Sequence, residues 1–258
     1  MLAEGRFFEL LYLLLIGFTM FYYKDRAKKG KAPKIATLPA LDAVEEAVGR
    51  CAEMGKPLFY TVGSSDFSDA GASQTIAGLT LMKYVSMLSA KYDVPMWVVN
   101  RYGDTHVVAQ EVIKQGYLEA GKPDAYKPDQ VLFFSSEQFA YGAGCAGIMH
   151  REQVGAVFLV GLFLGEALYL AESAASLSCI TISGTARITQ IHNLVAASDY
   201  CLIGEEIYVM SAYLSQDPAQ LGMVRGGDIS KIVACILIAV GAISATLGQD
   251  IISSIISK

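Results

Sequence analysis

The middle of the chain alternates between short apolar runs and longer segments in which apolar residues recur at helical spacing. The short runs are rich in branched and aromatic residues, which is typical of strands that are covered on both faces. We predict strands at residues 58–62, 96–99, 131–134, 156–160, 179–182 and 200–203. We predict helices at residues 41–54, 72–91, 105–120, 137–151, 164–177 and 188–197. This order of elements predicts an α/β fold, with a Rossmann-like, mostly parallel sheet and helices on both faces.

A longer apolar run lies near the start of the chain, at residues 7–23, and contains one charge, Glu9. Its length is close to the roughly 20 residues that a helix needs to span a bilayer. Tyr22 and Tyr23 suit the headgroup region, and basic residues follow at Lys24, Arg26, Lys28, Lys29, Lys31 and Lys34. A signal peptide would carry its positive charge before the apolar run and a cleavage site after it. The pattern therefore predicts a permanent anchor whose basic side stays in the cytoplasm.

A second uncharged run, residues 232–248, predicts a transmembrane helix near the other end of the chain. Arg225 and Lys231 precede it, which again places positive charge on the side of the central domain. Small residues within the run permit close helix packing in lipid, at Ala234, Gly241, Ala242 and Ala245. The tail, residues 249–258, is predicted to extend this helix or to lie on the membrane surface.

A third apolar stretch, residues 154–171, is predicted to be a strand followed by a helix. It contains Glu166 and leads into Glu172, and carboxylates inside a membrane span are costly. The sequence therefore predicts two spans and three parts: an N-terminal transmembrane anchor at 1–24, a cytoplasmic Rossmann-like domain at 25–230, and a C-terminal transmembrane helix with its tail at 231–258.

Composition agrees with one globular domain plus a few membrane helices, since 53% of the 258 residues are hydrophobic and 17% are charged. The net charge of −5 argues against a nucleic-acid-binding surface. Five cysteines are scattered without a CxxC pair, so neither a zinc site nor a disulfide framework is indicated. We predict free thiols in a reducing compartment, no metal site and no cofactor.

Three segments of the central domain carry a family resemblance: "FSSEQFAYGAG", "YLEAGKPDAYKPDQV" and "SGTARITQIHNLVAASDYCLIGEEIY". They resemble a prokaryotic membrane-anchored family that is described as a domain of unknown function. The resemblance extends from about Lys56 through the last span. It implies an anchored α/β domain and supplies no activity, substrate or catalytic residue.

Polar residues follow the predicted strands, where parallel sheets bind ligands. The candidate ligand-binding residues are Gly63, Ser64, Ser65, Asp66, Arg101, Ser135, Ser136, Glu137, Ser183, Gly184, Thr185 and Glu205. Glycines in such turns expose amide groups that can hold an anion at a helix N-terminus. Serines in the same turns commonly cap the following helix instead, and this alternative stays open.

Two other patterns are weaker indications of chemistry. The segment "GAGCAG", residues 142–147, matches the spacing of a dinucleotide-binding motif, but its glycines fall inside a predicted helix instead of directly after a strand. Glu166, Glu205 and Glu206 could bind a divalent cation if they converged, although helix caps and solvated turns are the commoner use of such residues.

Two functions remain open, and whether the protein is an enzyme is undecided. The first is a membrane-anchored, homo-oligomeric scaffold, favoured by the two anchors, the small residues of the last span and the lack of a recognisable catalytic set. The second is a small-molecule sensor or enzyme that uses the pocket at the strand ends. The expected partners are the lipid bilayer and further copies of the chain, with additional membrane-complex subunits left open. The expected location is the inner (cytoplasmic) membrane, with the central domain in the cytoplasm.

Overall fold

The computed structural model describes residues 7–31, 33 and 39–246, which fall into two compact units. Unit 1 contains the described residues of Met1–Ala36 and Gln216–Lys258, and unit 2 contains those of Thr37–Ser215. The sequence-based limits of the central domain, 25 and 230, both fall within unit 1.

Unit 2 alternates strands with helices along most of its length. Its strands are β1 (Leu58–Gly63), β2 (Met96–Asn100), β3 (Val131–Phe133), β4 (Ala156–Leu162), β5 (Ile180–Thr185) and β6 (Tyr200–Ile203). Its helices are α2 (Pro39–Met54), α3 (Ala72–Lys91), α4 (Gly103–Glu119), α5 (Gln138–Glu152), α6 (Glu166–Ser176), α7 (Ile188–Ala197) and α8 (Glu206–Ser215). Short 3-10 turns at Pro123–Ala125 and Pro128–Gln130 connect α4 to β3.

The six strands form one all-parallel sheet in the order β3-β2-β1-β4-β5-β6. Tyr60 of β1 lies opposite Val98 of β2 on one side and Phe158 of β4 on the other. This is the strand order of doubly wound sheets, in which the direction of winding reverses between β1 and β4. The predicted α/β fold with a parallel sheet is confirmed.

Side chains of each strand alternate between two apolar layers, as the period of two in a strand requires. Leu58, Tyr60 and Val62 pack into a layer that contains residues of α2, α3, α4 and α8. Phe59, between them, packs into the opposite layer with residues of α5, α6 and α7. Because both faces of the sheet are covered by helices, its strands read as nearly continuous apolar runs in the sequence.

Two outcomes concern the predicted elements. The stretch 154–171 forms β4 and the first half of α6, so the prediction of a strand and a helix in place of a third span is confirmed. Helix α8, Glu206–Ser215, was not predicted. Its sequence "EIYVMSAYLS" is rich in aromatic and branched residues and comes soon after a strand. Residues of these types are also typical of strands, so the sequence does not indicate a helix clearly.

Unit 1 consists of α1 (Phe7–Lys28) packed antiparallel against α9 (Pro218–Thr246). A Cβ atom at Gly226 would lie 2.7 Å from the Cα of Met20, and one at Gly222 would lie 2.6 Å from the carbonyl oxygen of Tyr23. One turn further, the hydroxyls of Ser230 and Thr19 are 2.9 Å apart. Small residues spaced by four, Gly222, Gly226 and Ser230, therefore let the two helix backbones approach closely.

One helix within the described residues, over Pro218–Ser244, is long and apolar enough to cross a membrane. Helix α1 is not among the candidate spans of these residues, although its apolar side chains Leu13, Phe18 and Phe21 are exposed. The outer side chains of α9, including Ile238 and Ile243, are exposed in the same way. Lys34 of the predicted basic cluster lies outside the described residues, and so does the tail at 249–258.

We expect Gly226→Leu to separate α1 from α9, because a large side chain at this position collides with backbone atoms of Met20. The measurement is disulfide formation between Thr19→Cys and Ser230→Cys under mild oxidation, in a chain carrying Cys235→Ala. We expect the yield to fall at least about threefold. Gly227→Leu is the matched control, because a Cβ atom there meets only the flexible end of Met20, at 4.0 Å. Equal yields in the two variants would contradict the packing.

Candidate functional site

The predicted ligand-binding residues lie around the carboxyl edge of the sheet, because all six strands are parallel. They form three groups, at the ends of β1, of β2 with β3, and of β5 with β6. Two glutamines connect these groups to neighbouring elements through hydrogen bonds: Gln74, which sequence reasoning missed, and Gln138, which the sequence places at the end of the segment "FFSSEQ" after β3.

The buried carboxylate of Glu166 occupies the point between β1 and β4 where doubly wound sheets bind ligands. Glu166 begins α6 and is only 2% exposed. The Ser64 hydroxyl and the Leu164 amide donate to its Oε1 atom, the latter at 3.1 Å. Gln138 donates its Nε2 proton to Oε2 at 2.7 Å. With three donors, the carboxylate is well satisfied by the protein itself.

The backbone also closes this point of the sheet. Gly63 has a φ of +82°, and a Cβ atom there would lie 2.1 Å from the carbonyl oxygen of Leu162. The next amide, of Ser64, donates to that same oxygen at 2.6 Å. Gly161 makes the reciprocal approach, with the Val62 carbonyl oxygen 2.0 Å from a Cβ position. The ends of β1 and β4 are therefore in close backbone contact.

The turn that follows β1 is held by its own acidic residues. Ser65 donates its hydroxyl proton to Asp69, and Asp66 Oδ1 accepts from the hydroxyl and the amide of Ser68, both at 2.8 Å. These hydrogen bonds hold the pKa of Asp66 below its ordinary value, with the Ser68 hydroxyl as the largest cause. Ser64, Ser65 and Asp66 thus have internal partners.

The ends of β2 and β3 are joined by Arg101, whose Nε donates to the carbonyl oxygen of Ser136 at 3.0 Å. Glu137 caps α5 by accepting from the Ala140 amide at 2.7 Å, and this hydrogen bond lowers the pKa of Glu137. The Ser135 hydroxyl accepts from the amide of Glu137 at 3.1 Å. Capping is therefore the role of Glu137 and not of Ser136, whose carbonyl instead binds the guanidinium.

At the other side of the sheet, Gln74 of α3 reaches the end of β5. Its Oε1 accepts from the Thr185 hydroxyl at 3.2 Å and from the Ala186 amide at 2.8 Å. Ser183 is fully buried in β5, and a Cβ atom at Gly184 would lie 3.0 Å from Leu202 of β6. Glu205 directly precedes α8.

Asn100 was not among the candidate ligand-binding residues, and like the Ser183 hydroxyl it has no hydrogen-bond partner among the described residues. It ends β2 and is fully buried, and neither its Oδ1 nor its Nδ2 has a hydrogen-bond partner among the described residues. The Nη1 atom of the adjacent Arg101 is likewise buried without a partner. A buried amide without partners needs a water or a ligand to satisfy it. An asparagine at the end of the apolar run "MWVV" was the available signal.

The remaining sequence patterns give no catalytic arrangement within the described chain. The glycines of "GAGCAG" lie inside α5, as predicted, where Gly144 packs against the ring of Phe134. Within the described ranges, no three His, Cys, Asp or Glu side chains group as metal ligands. Burial lowers the pKa of His106, and its Nε2 lies 3.2 Å from the side-chain nitrogen of Gln110.

Comparison with known proteins gives a family without an assigned activity. A family model described as "Domain of unknown function (DUF6754)" matches residues 1–256, which include residues of both units. No curated protein and no solved structure matches the chain. The resemblance to a family described as a domain of unknown function, predicted from three segments of the central domain, is confirmed by a match over nearly the whole sequence. The chain belongs to the family described as Domain of unknown function (DUF6754).

Proposed function

We propose that the protein is a membrane-anchored scaffold that assembles into homo-oligomers through its α/β domain. The observation that carries this proposal is a set of exposed apolar side chains on the loops and element ends at the carboxyl edge of the sheet. They are Phe133, Phe134, Phe139, Ile188 and Ile203. The three phenylalanines lie at the end of β3 or after it, and the two isoleucines lie beside β5 and β6, so the carboxyl edge carries two apolar groups, one toward each side of the sheet. Exposed apolar groups of this kind are typical of surfaces that bind other proteins.

The polar residues of the same edge favour this function over a dinucleotide-binding one. The Glu166 carboxylate at the point between β1 and β4 already accepts three hydrogen bonds from the protein. The edge therefore presents apolar side chains above polar groups that already have partners inside the domain. Docking of a second copy on such a surface buries apolar area without leaving most of those polar groups unpaired.

Anchoring in a bilayer supports assembly because it confines the copies to a plane and raises their effective concentration. We propose that both α1 and α9 are embedded in the inner membrane. In their antiparallel pair, the end of α1 at Lys28 and the start of α9 at Pro218 lie at the same end. Basic residues accumulate there, including Lys24, Arg26 and Arg225, which supports a cytoplasmic location for unit 2.

Phe139→Asp is expected to dissociate the oligomer into smaller particles, because it places a charge in an apolar contact surface. Phe139 is 72% exposed, so the substitution leaves the core of the domain intact. The measurement is the particle mass of the detergent-extracted chain by light scattering. Leu118→Asp is the matched control. Leu118 is 63% exposed and lies near the C-terminal end of α4, away from the carboxyl edge of the sheet. A monomeric natural chain, or equal masses for the three proteins, would refute the proposal.

A second function, a small-molecule sensor or enzyme at the carboxyl edge, is favoured by Asn100. Its fully buried amide has no hydrogen-bond partner in the described part of the chain, and a ligand with a hydrogen-bond donor and an acceptor would satisfy it. Native mass spectrometry of the extracted chain tests this function. A small molecule that the natural chain retains and the Asn100→Ala variant loses would support the sensor or enzyme function. If the natural chain has the mass of the protein without a ligand, only the scaffold function is supported.

A further inference from the structure

The end of α1 carries a concentration of positive charge. Residues 21–31 contain five basic residues and one acid, which gives a net charge of +4: Lys24, Asp25, Arg26, Lys28, Lys29 and Lys31. The α/β domain has the opposite sign, since residues 37–215 contain 10 basic and 19 acidic residues and carry a net charge of −9. The basic segment, residues 24–31, is therefore a distinct cationic surface on an acidic chain.

Most of the positive charge of the basic segment is not neutralised by the described part of the chain. Asp25 pairs with Lys29, with 2.5 Å between Oδ2 and Nζ. Arg26, Lys28 and Lys31 form no ion pair with a described acid, and all three residues are exposed. Three cations are therefore available to an anion outside the protein.

The adjacent part of α9 does not cancel this charge. A Cβ atom at Gly222 would lie 2.7 Å from the Cα of Lys24, so the first turns of α9 lie beside the basic segment. The charged residues of these turns largely balance one another, because Asp228 lies 3.6 Å from Lys231 and 4.0 Å from Arg225. The excess positive charge at this end of unit 1 therefore belongs to α1.

Exposed aromatic rings precede the basic segment on α1. Phe18 and Phe21 are each 71% exposed, and Phe18 stacks on Tyr22 with the ring centroids 6.1 Å apart. The ammonium group of Lys24 lies 5.6 Å from the centroid of the Phe21 ring. Aromatic rings beside the extended side chains of lysines are typical of the boundary between acyl chains and lipid headgroups. With α1 embedded as proposed above, the basic segment lies at the level of the lipid phosphates.

We propose that the basic segment binds anionic phospholipids and so selects the lipids that surround the anchor. The inference rests on the proposed embedding of α1 and α9, and it does not depend on assembly into homo-oligomers. Orientation of an anchor requires basic residues but no particular headgroup, so a lipid preference is a separate property. Each cation near an anionic surface strengthens binding roughly fivefold, and the three unpaired cations therefore distinguish an anionic headgroup from a zwitterionic one.

An acidic protein surface fits the basic segment less well than a lipid does. The exposed rings of Phe21 and Tyr22 lie directly beside the cations and need an apolar partner. A phospholipid supplies both a phosphate for the cations and acyl chains for the rings.

Lipid retention by the intact chain tests the proposal. The detergent-extracted chain is exchanged with an equimolar mixture of phosphatidylglycerol and phosphatidylethanolamine, and native mass spectrometry counts the lipids that stay bound. We expect bound phosphatidylglycerol to exceed phosphatidylethanolamine at least about tenfold. We expect the triple variant Arg26→Gln, Lys28→Gln, Lys31→Gln to lose this preference. Salt at about 0.5 M should weaken the preference of the natural chain, so this part of the test needs no variant.

The matched control is the triple variant Lys91→Gln, Lys114→Gln, Lys127→Gln, which removes the same charge from exposed lysines of unit 2. Its lipid preference is expected to equal that of the natural chain. A double variant, Lys28→Arg with Lys31→Arg, keeps both charges and is expected to keep the preference.

Equal retention of the two lipids by the natural chain overturns the proposal, and so does an unchanged preference in the triple variant of the basic segment. A chain that inserts into vesicles of either lipid without a preference contradicts the lipid selection alone. A chain that associates with neither kind of vesicle contradicts the embedding of α1 and α9 as well. If the triple variant lowers the particle mass and leaves the lipid ratio unchanged, the basic segment binds another copy of the chain, and the proposal is likewise overturned.

Discussion

Gly63→Ala is expected to lower the free energy of unfolding of the α/β domain by about 4 kcal/mol or more, or to prevent its folding. An alanine Cβ atom would lie 2.1 Å from the carbonyl oxygen of Leu162, at a backbone φ of +82°. Relief would require β1 and β4 to separate at the centre of the sheet. The single tryptophan, Trp97 in β2, makes fluorescence-monitored thermal unfolding a reporter of this domain.

Gly204→Ala is the matched control for this substitution. Gly204 also has a positive φ, of +61°, but no atom lies within 4 Å of a Cβ position there. The substitution therefore costs only the backbone conformation, about 1 kcal/mol. If the two variants unfolded at the same temperature, the contact between the ends of β1 and β4 would not have the energetic role that we assign to it.

Glu166→Ala is expected to lower the free energy of unfolding by about 3 kcal/mol. The change removes the acceptor of Ser64, Gln138 and the Leu164 amide, and it leaves these donors without partners in a buried site. At 2–4 °C per kcal/mol for a domain of this size, the unfolding temperature should fall by roughly 6–12 °C. Trp97 fluorescence of the intact chain in detergent measures this change.

Glu172→Ala provides the control within the same helix, because Glu172 of α6 is exposed. Its effect is expected to stay within about 0.5 kcal/mol. A ligand that bound at Glu166 in the natural protein would produce a different result. Removing the carboxylate would then abolish retention of that ligand and shift the unfolding temperature little.

The strands of the sheet could be predicted because each is a short apolar run, and the four inner strands, β1, β2, β4 and β5, are almost entirely buried. β6 and α3 were predicted to the residue, whereas β5 continues three residues beyond the predicted end. The extension, Ser183 to Thr185, contains a glycine and two hydroxyl residues, which are typical of a turn. These residue types favour a turn, but Gly184 pairs with Val160 of β4, and this pairing extends the strand.

The location of the candidate site could be predicted from the strand ends, but its internal connections could not. Ser64 and Glu166 are 102 residues apart, and their contact depends on the position of β1 beside β4, which no local pattern encodes. Gln74 reaches the end of β5 from within a helix, and a glutamine on a helix gives no signal of its own, whereas Gln138 stands in the polar segment after β3. Asn100 is the exception, since a polar residue that ends an apolar strand can be recognised from the sequence.

The contact between α1 and α9 was not predicted from the sequence. The small residues Ala234, Gly241, Ala242 and Ala245 predict close helix packing in lipid without indicating a partner, and the contact with α1 lies at Gly222 and Gly226. Arg225 and Asp228 surround these glycines and make the segment look like a soluble loop. Spacing by four residues, continued to Ser230, was the informative feature.

Because α1 and α9 are paired, the chain of the α/β domain runs between two helices that are held together. A protease that cuts one peptide bond in an exposed turn of that domain would divide the polypeptide into two pieces. Each piece would keep one of the paired helices, so both would remain on the same particle after the cut. Unfolding the domain likewise releases a chain that is tethered at both ends, and such a chain has less conformational entropy to gain than a free one.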